Sequence, residues 1–225
     1  MKRLLFSLVI AVLAVAPRAF ASTACRVTPS QSLMSSLLRQ APGLSPDVLR
    51  LALGATGCAE ERGLVRRGDL LTVIDYSLPS TQPRMFVFDL ASNKLLFREL
   101  VAHGKGSGGD HAALFSNSPG SLATSLGLYV TAGTYFGHNG YSLRLRGLEE
   151  GINDMAWDRA IVIHGASYVS RAAVQALGRL GRSWGCPAVR REVAAKIIDT
   201  LRGGTPVFAY YPDKKWLTTS AFLPR

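Results

Sequence analysis

The stretch DLLTVIDYS, residues 69–77, is where the chain changes character. It is short and rich in Leu, Val and Ile, and the next two segments are built the same way: RMFVFDL (84–90) and KLLFRELVAHG (94–104). Pro, Ser and an Asn-Lys step separate them, which is the pattern of short strands joined by turns. Ala91-Ser92-Asn93-Lys94 reads as the hairpin turn between the second and third. GLYVTAGTYFG (127–137) continues the pattern, with Leu128, Val130, Ala132 and Thr134 alternating against Tyr129, Thr131, Gly133 and Tyr135. Asn139-Gly140 is a strong hairpin dipeptide. In the strand after it, Leu143 and Leu145 alternate with Ser142, Arg144 and Arg146, so two arginines share one face. RAIVIHGA (159–166) reads as a buried strand with His164 at its exit, and TPVFAYYP (205–212) as a final strand.

Helical signals lie outside this run and once within it. SQSLMSSLLRQA (30–41) carries Leu33, Leu37 and Ala41 at helical spacing. After a Pro/Gly break, Ser45 is a candidate N-cap with Pro46 at the first helical position. REVAAKIIDTLRGG (191–204) places Val193, Ile197 and Leu201 on one face, and Gly203 ends it. The expected fold is therefore mainly β, with one or two helices packed on it, preceded by a short helical segment. The expected boundaries are a leader over 1–21, a helical extension over 22–68, a main domain over 69–212 and a tail over 213–225.

The leader expectation rests on composition. Lys2 and Arg3 precede an apolar run from Leu4 to Ala16, and Ala19-Phe20-Ala21 closes it as a small-x-small cleavage pattern. That describes a secretory signal peptide and predicts an exported, periplasmic or cell-envelope protein. The alternative of a lipoprotein would lipidate Cys25 in STAC and give peripheral membrane contact. The formal charge is +11, falling to +8 once Lys2, Arg3 and Arg18 leave with the leader. A basic exported protein is drawn to polyanions such as wall polymers. The basic residues are scattered and no nucleic-acid motif accompanies them, so no nucleic-acid partner is expected.

The three cysteines are Cys25, Cys58 and Cys186. In an oxidising compartment an odd count leaves one thiol over. Cys25 and Cys58 flank the same N-terminal segment and are the natural pair, which leaves Cys186 free unless Cys25 is lipidated. Cys186 sits in GRSWGCPAV (181–189), and His164 lies 22 positions before it. A thiol needs a neighbouring base to become a nucleophile. Gly185 permits a backbone geometry other residues resist, and the Gly185 and Cys186 amides are candidates for an oxyanion site. Pro187 stiffens the exit from the turn. The long Gly/Ser-rich segment from 103 to 127 is of a length that is functional or disordered in compact domains. Its GKGSGG lacks the spacing of a nucleotide-binding loop.

Together, IVIHGASYVS and GRSWGCPAV resemble the L,D-transpeptidase (YkuD-type) signature of a histidine followed by Ser/Thr-His-Gly-Cys. The wider context, including FSNSPGS and GTPVFAYY, is similar to the murein L,D-transpeptidase catalytic domain branch, over roughly 69–212. The resemblance implies a YkuD-like β-sandwich and no cofactor or metal. It implies Cys186 as nucleophile, His164 as base and the Gly165 carbonyl as the group that orients the imidazole. Gly185, Ser183, Arg182 and Trp184 are implied at the oxyanion and substrate positions. The family histidine before Gly-Cys is Trp184 here, and Pro187 and Ala188 replace the usual polar residues after the cysteine. The implied reaction is acyl transfer on peptidoglycan stem peptides through a thioester. Amine acceptors would cross-link the wall, and water would make the enzyme an L,D-carboxypeptidase. Two other readings compete with it. A metal peptidase would use His103, His111, His138 and His164, but HExxH-type spacing is absent. A non-catalytic wall-binding domain would bind sacculi without altering them.

Overall fold

The computed structural model describes Cys25 and residues 27–223. The leader expected over 1–21 lies outside the described residues. Nine strands form one sheet: β1 (Leu70–Asp75), β2 (Met85–Asp89), β3 (Lys94–Glu99), β4 (Val101–Ala102), β5 (Gly127–Gly137), β6 (Gly140–Gly147), β7 (Val162–Ala166), β8 (Ala188–Arg190) and β9 (Pro206–Tyr210). The helices are α1 (Gln31–Gln40), α2 (Pro46–Glu61), α3 (Arg171–Leu177), α4 (Arg191–Leu201) and α5 (Lys214–Thr219). Among the described residues no helix is long and apolar enough to cross a membrane.

The strand order is β3-β2-β1-β9-β5-β6-β7-β8-β4. Its two ends, β3 and β4, are separated in sequence only by Leu100, so the sheet has to curl until its edges meet. KLLFRELVAHG, expected as one strand, is split at this residue because its two halves serve opposite edges. The seam is held by charge. Arg190 of β8 forks onto Glu99 of β3, with Nε and an Nη each within 2.8 Å of a carboxylate oxygen. Closing the sheet leaves less exposed strand edge to recruit other chains.

The near-continuous apolar strands follow from burial on both faces. On one face Leu71, Val73, Phe86, Phe88, Leu128 and Phe208 form a core with α1, α2 and Trp216. On the other face Ile74, Met85, Val87, Tyr129 and Val207 pack with Ile197, Ile198 and Leu201 of α4. Alternate residues of the same strands thus feed two cores. The helical segment before β1 and the tail after β9 share the first core with the sheet. Trp216 of α5 is fully buried there and its Nε1–H donates to Glu149 Oε2 at 3.0 Å. Cys25 is disulfide-bonded to Cys58 of α2, with Cα atoms 5.7 Å apart, so its sulfur is not free for a lipid.

Two helices escape the periodic pattern of the sequence. α3 buries no side chain and is started by Ser170, whose Oγ accepts the Ala173 N–H. α5 has six residues and one buried anchor, and Asp213 caps it through the Trp216 N–H at 2.7 Å. Neither carries an apolar stripe, the signal that marks α1 and α4.

Candidate active site

Strands β7 and β8 run parallel with His164 in register with Ala188. Cys186 is two residues before Ala188. Ordinary strand spacing therefore puts the His164 and Cys186 backbones about 8 Å apart, within reach of their side chains. The crossover between the two parallel strands (167–187) carries α3 and delivers the cysteine turn beside the histidine strand.

His164 is buried, and its Nδ1 lies 3.1 Å from the carbonyl oxygen of Gly165. A carbonyl only accepts, so Nδ1 carries the proton and Nε2 keeps its lone pair. Burial lowers the imidazole pKa, and the bond to Gly165 offsets part of that effect. The ring is therefore neutral at neutral pH. It opens onto a hollow of about 350 Å³ lined also by His138, Asn139, Tyr168 and Arg191.

Cys186 is the free cysteine, at intermediate exposure. Burial raises its thiol pKa, while a backbone hydrogen bond from Val162 and the positive charge of Arg159 pull the other way. Its Sγ lies 3.7 Å from the Ala160 carbonyl, an acceptor for the thiol proton. Both directions favour the uncharged forms, a thiol at Cys186 and a neutral imidazole at His164.

The turn that holds Cys186 is bound on three sides. Ser183 Oγ accepts the Gly185 N–H at 3.1 Å and donates to the Cys186 carbonyl at 2.6 Å. The Ser183 backbone is bridged to the β4 exit: its N–H donates to the His103 carbonyl and its carbonyl accepts from Lys105. Thr124 Oγ1 accepts from the Gly104 N–H at 3.0 Å and donates to the Gly185 carbonyl at 3.2 Å. Gly185 has φ +123°, and a Cβ there would lie 2.8 Å from the Ala123 carbonyl. A Cβ on Gly104 would lie 2.3 Å from the Leu122 carbonyl and 2.9 Å from Gly185. The close approach of these three loops is possible only for glycine at both positions.

These contacts revise the expected division of labour. The Gly185 N–H is occupied by Ser183, so it is not an open oxyanion donor in this conformation. Among the described residues the Cys186 N–H has no acceptor in another residue. Arg182, expected beside the substrate, is committed to the loop that follows β4: its Nη1 donates to the Gly108 carbonyl at 2.9 Å. Trp184 is 73% exposed, with Lys105 Nζ 5.7 Å from its ring centroid. The 103–127 segment is tied to the cysteine turn by these bonds and holds a short 3₁₀ turn at Lys105–Ser107. The four histidines of the metal reading do not converge: His138 shares the hollow of His164, and the others part company. His103 turns onto Arg84, His164 onto Gly165, and His111 stands at the surface near Asp110. Among the described residues no three His, Cys, Asp or Glu side chains gather as metal ligands do.

Three residues of the site carried no signal in the sequence. Arg159 straps the 116–125 loop over the cysteine turn, donating to the Ser116 and Ala123 carbonyls and to Ser125 Oγ. Tyr76 is fully buried and lines a small hollow together with Gly185 and Pro187, on either side of Cys186. Arg84 is fully buried beneath it, with Cζ 5.1 Å from the Tyr76 ring and Nη2 2.7 Å from His103 Nδ1. Burial brings the Arg84 pKa down to about 10 and that of His103 to about 4. The only available hint is the isolated arginine before β2 and after a proline, which otherwise reads as a surface charge.

The model of the L,D-transpeptidase catalytic domain family matches residues 40–210, which takes in all nine strands and the site just described. The chain belongs to that family. No curated protein matches the sequence. Among solved structures, an L,D-transpeptidase from Mycobacterium smegmatis aligns at 14% identity and a TM-score of 0.40, over 64% of this chain and 59% of that one. An L,D-transpeptidase from Stackebrandtia nassauensis aligns at 11% identity and a TM-score of 0.41, over 81% and 90%. One from Mycobacterium tuberculosis aligns at 18% and 0.36, over 64% and 58%. The chain thus spans less than two thirds of the length of the mycobacterial enzymes.

Proposed function

We propose that this protein is a cysteine-dependent L,D-transpeptidase that acts on peptidoglycan stem peptides in the cell envelope. The observation that carries the reading is a neutral, carbonyl-oriented imidazole at His164 on the strand paired with the exit of the Cys186 turn. Family membership supplies the reaction class. Cys186 Sγ attacks the carbonyl at the L-centre of a diaminopimelate residue as His164 Nε2 takes the thiol proton. The Cys186 N–H faces the oxygen that becomes negative. Collapse breaks the amide bond, the proton passes from His164 to the departing D-alanine amine, and a thioester remains. An amine of a second stem then attacks the thioester, His164 accepts its proton, and the thiol is restored.

Ser183 and Gly185 serve as positioning residues in this scheme, and Trp184 forms an exposed wall beside the nucleophile. Export fits the Cys25–Cys58 disulfide, which persists in an oxidising compartment. The test is a muropeptide digest of sacculi incubated with the wild type or with Cys186→Ala. New cross-linked species from the wild type alone support the proposal. Trimmed stems without cross-links would make water the acceptor, and unchanged muropeptides with retained binding would reduce the protein to a wall-binding domain.

A further inference from the structure

Away from Cys186, a cleft of about 860 Å³ opens at the other end of the sheet. Its walls come from the loop after α2, the start of the β5 bulge and the C-terminal end of α4. Arg66, Arg146 and Arg202 line it, and no acidic side chain does. All three are exposed, and among the described residues none of them forms an ion pair. Neighbouring Arg67 is spoken for, because it pairs with Asp69 and caps the end of α4 through the Thr200 carbonyl. Uncompensated like charges in one concavity repel each other and cost stability, a cost that an anionic occupant relieves.

The cleft is also built rather than incidental. The β5–β6 register shifts between Thr131 and Thr134, bulging Ala132 and Gly133 into its wall. Thr131 Oγ1 donates to the Leu201 carbonyl at 2.6 Å and accepts the Gly204 and Thr205 N–H groups, so the floor is rigid. Gly203 and Gly204 hold positive φ, and the Arg66 stem packs close against Gly204. From Arg146 a cationic strip runs back toward the reacting centre. Arg146 and Arg144 lie 5.7 and 5.0 Å from the Trp157 ring centroid. Trp157 is three residues before Ala160, the carbonyl that faces the Cys186 thiol. Arg144 is in register with Val162, whose backbone also borders that thiol.

We propose that this cleft is a second binding site for the carboxylate-bearing wall polymer, holding a stretch of it remote from the stem that reacts at Cys186. The assignment of the polymer rests on the function proposed above. The site itself rests on three exposed arginines that form no ion pair among the described residues. Guanidinium groups match carboxylates in a two-point geometry. Several such pairs on one repeating polymer act together, so the cleft raises the local concentration of stems near the nucleophile.

The experiment is co-sedimentation of the full chain with purified sacculi across a salt series. The Cys186→Ala variant, which binds without acylation, serves as the reference. The triple variant Arg66→Gln, Arg146→Gln, Arg202→Gln is expected to bind about tenfold more weakly at low salt, with a flatter salt dependence. Binding equal to the reference would overturn the proposal. Arginine footprinting with phenylglyoxal on the wild type gives an answer that does not depend on the variant folding. Soluble sacculus fragments should shield Arg66, Arg146 and Arg202 but leave Arg50 reactive, and equal labelling with and without fragments would overturn it. The two proposals fail separately. Retained, arginine-dependent binding with no new muropeptides sinks the transpeptidase reading alone, whereas cross-linking with no dependence on these arginines sinks the cleft alone.

Discussion

The Ser183 hydroxyl bridges the turn that holds Cys186, donating to the carbonyl of Cys186 at 2.6 Å while accepting the Gly185 N–H. One side chain therefore sets the direction of the peptide that carries the thiol. Ser183→Ala is expected to cut kcat about tenfold or more while costing only about 1–3 kcal/mol of stability, since a buried N–H and a carbonyl lose their partner. Steady-state kinetics beside a thermal melt checks this. A melt that collapses in step with activity would make the serine a folding element instead.

Gly185 offers a sharper steric test. Its φ of +123° and the Ala123 carbonyl 2.8 Å from a would-be Cβ leave no room for alanine. Gly185→Ala should cost about 1–3 kcal/mol and displace Cys186 enough to abolish turnover. Gly109 has no positive φ and open space where a Cβ would go, so Gly109→Ala should be silent in both assays.

The pH profile follows from the direction of two shifts. Burial holds His164 below its ordinary 6.5, so the base stays neutral through neutral pH and kcat/KM should fall only below pH 6.5. The Cys186 thiol is held above 9.0, so iodoacetamide should alkylate it slowly at neutral pH, at a rate still rising at pH 9. An alkylation plateau near neutrality would reveal a thiolate–imidazolium pair and contradict the geometry.

Stability should also depend on pH, through His103. Its folded pKa of about 4 lies below the ordinary 6.5, so the folded state binds this proton less readily than the unfolded chain does. Its contribution is therefore fully present above pH 6.5 and is lost as pH falls toward 4. The loss amounts to about 3 kcal/mol at most. Urea melts at pH 7 and pH 4.5, with His103→Gln as comparison, measure it, and an equal loss in the variant would assign the acid sensitivity elsewhere.

The C-terminal segment tests what belongs to the fold. Trp216 fills the first core and holds Glu149, whose other oxygen accepts the Leu128 N–H at 2.7 Å. Trp216→Ala should cost about 3–5 kcal/mol, a core penalty from a residue outside the expected 69–212 unit. A loss below 1 kcal/mol would show the tail to be peripheral.

Much of this architecture was readable along the chain. Strand identity in DLLTVIDYS and RMFVFDL, the hairpins at 91–94 and 138–140 and the amphipathic stripe of α4 are local properties, set by residue shape and alternation. The free state of Cys186 followed from counting cysteines. Its proximity to His164 did not, because two residues 22 positions apart in sequence come within about 8 Å only once β7 and β8 pair in parallel. The closure of the sheet at Leu100, the burial of Arg84 and the strap formed by Arg159 were likewise decided by tertiary structure. A lone arginine looks the same in sequence whether it faces solvent or a carbonyl, and only the packed chain determines which partners surround it.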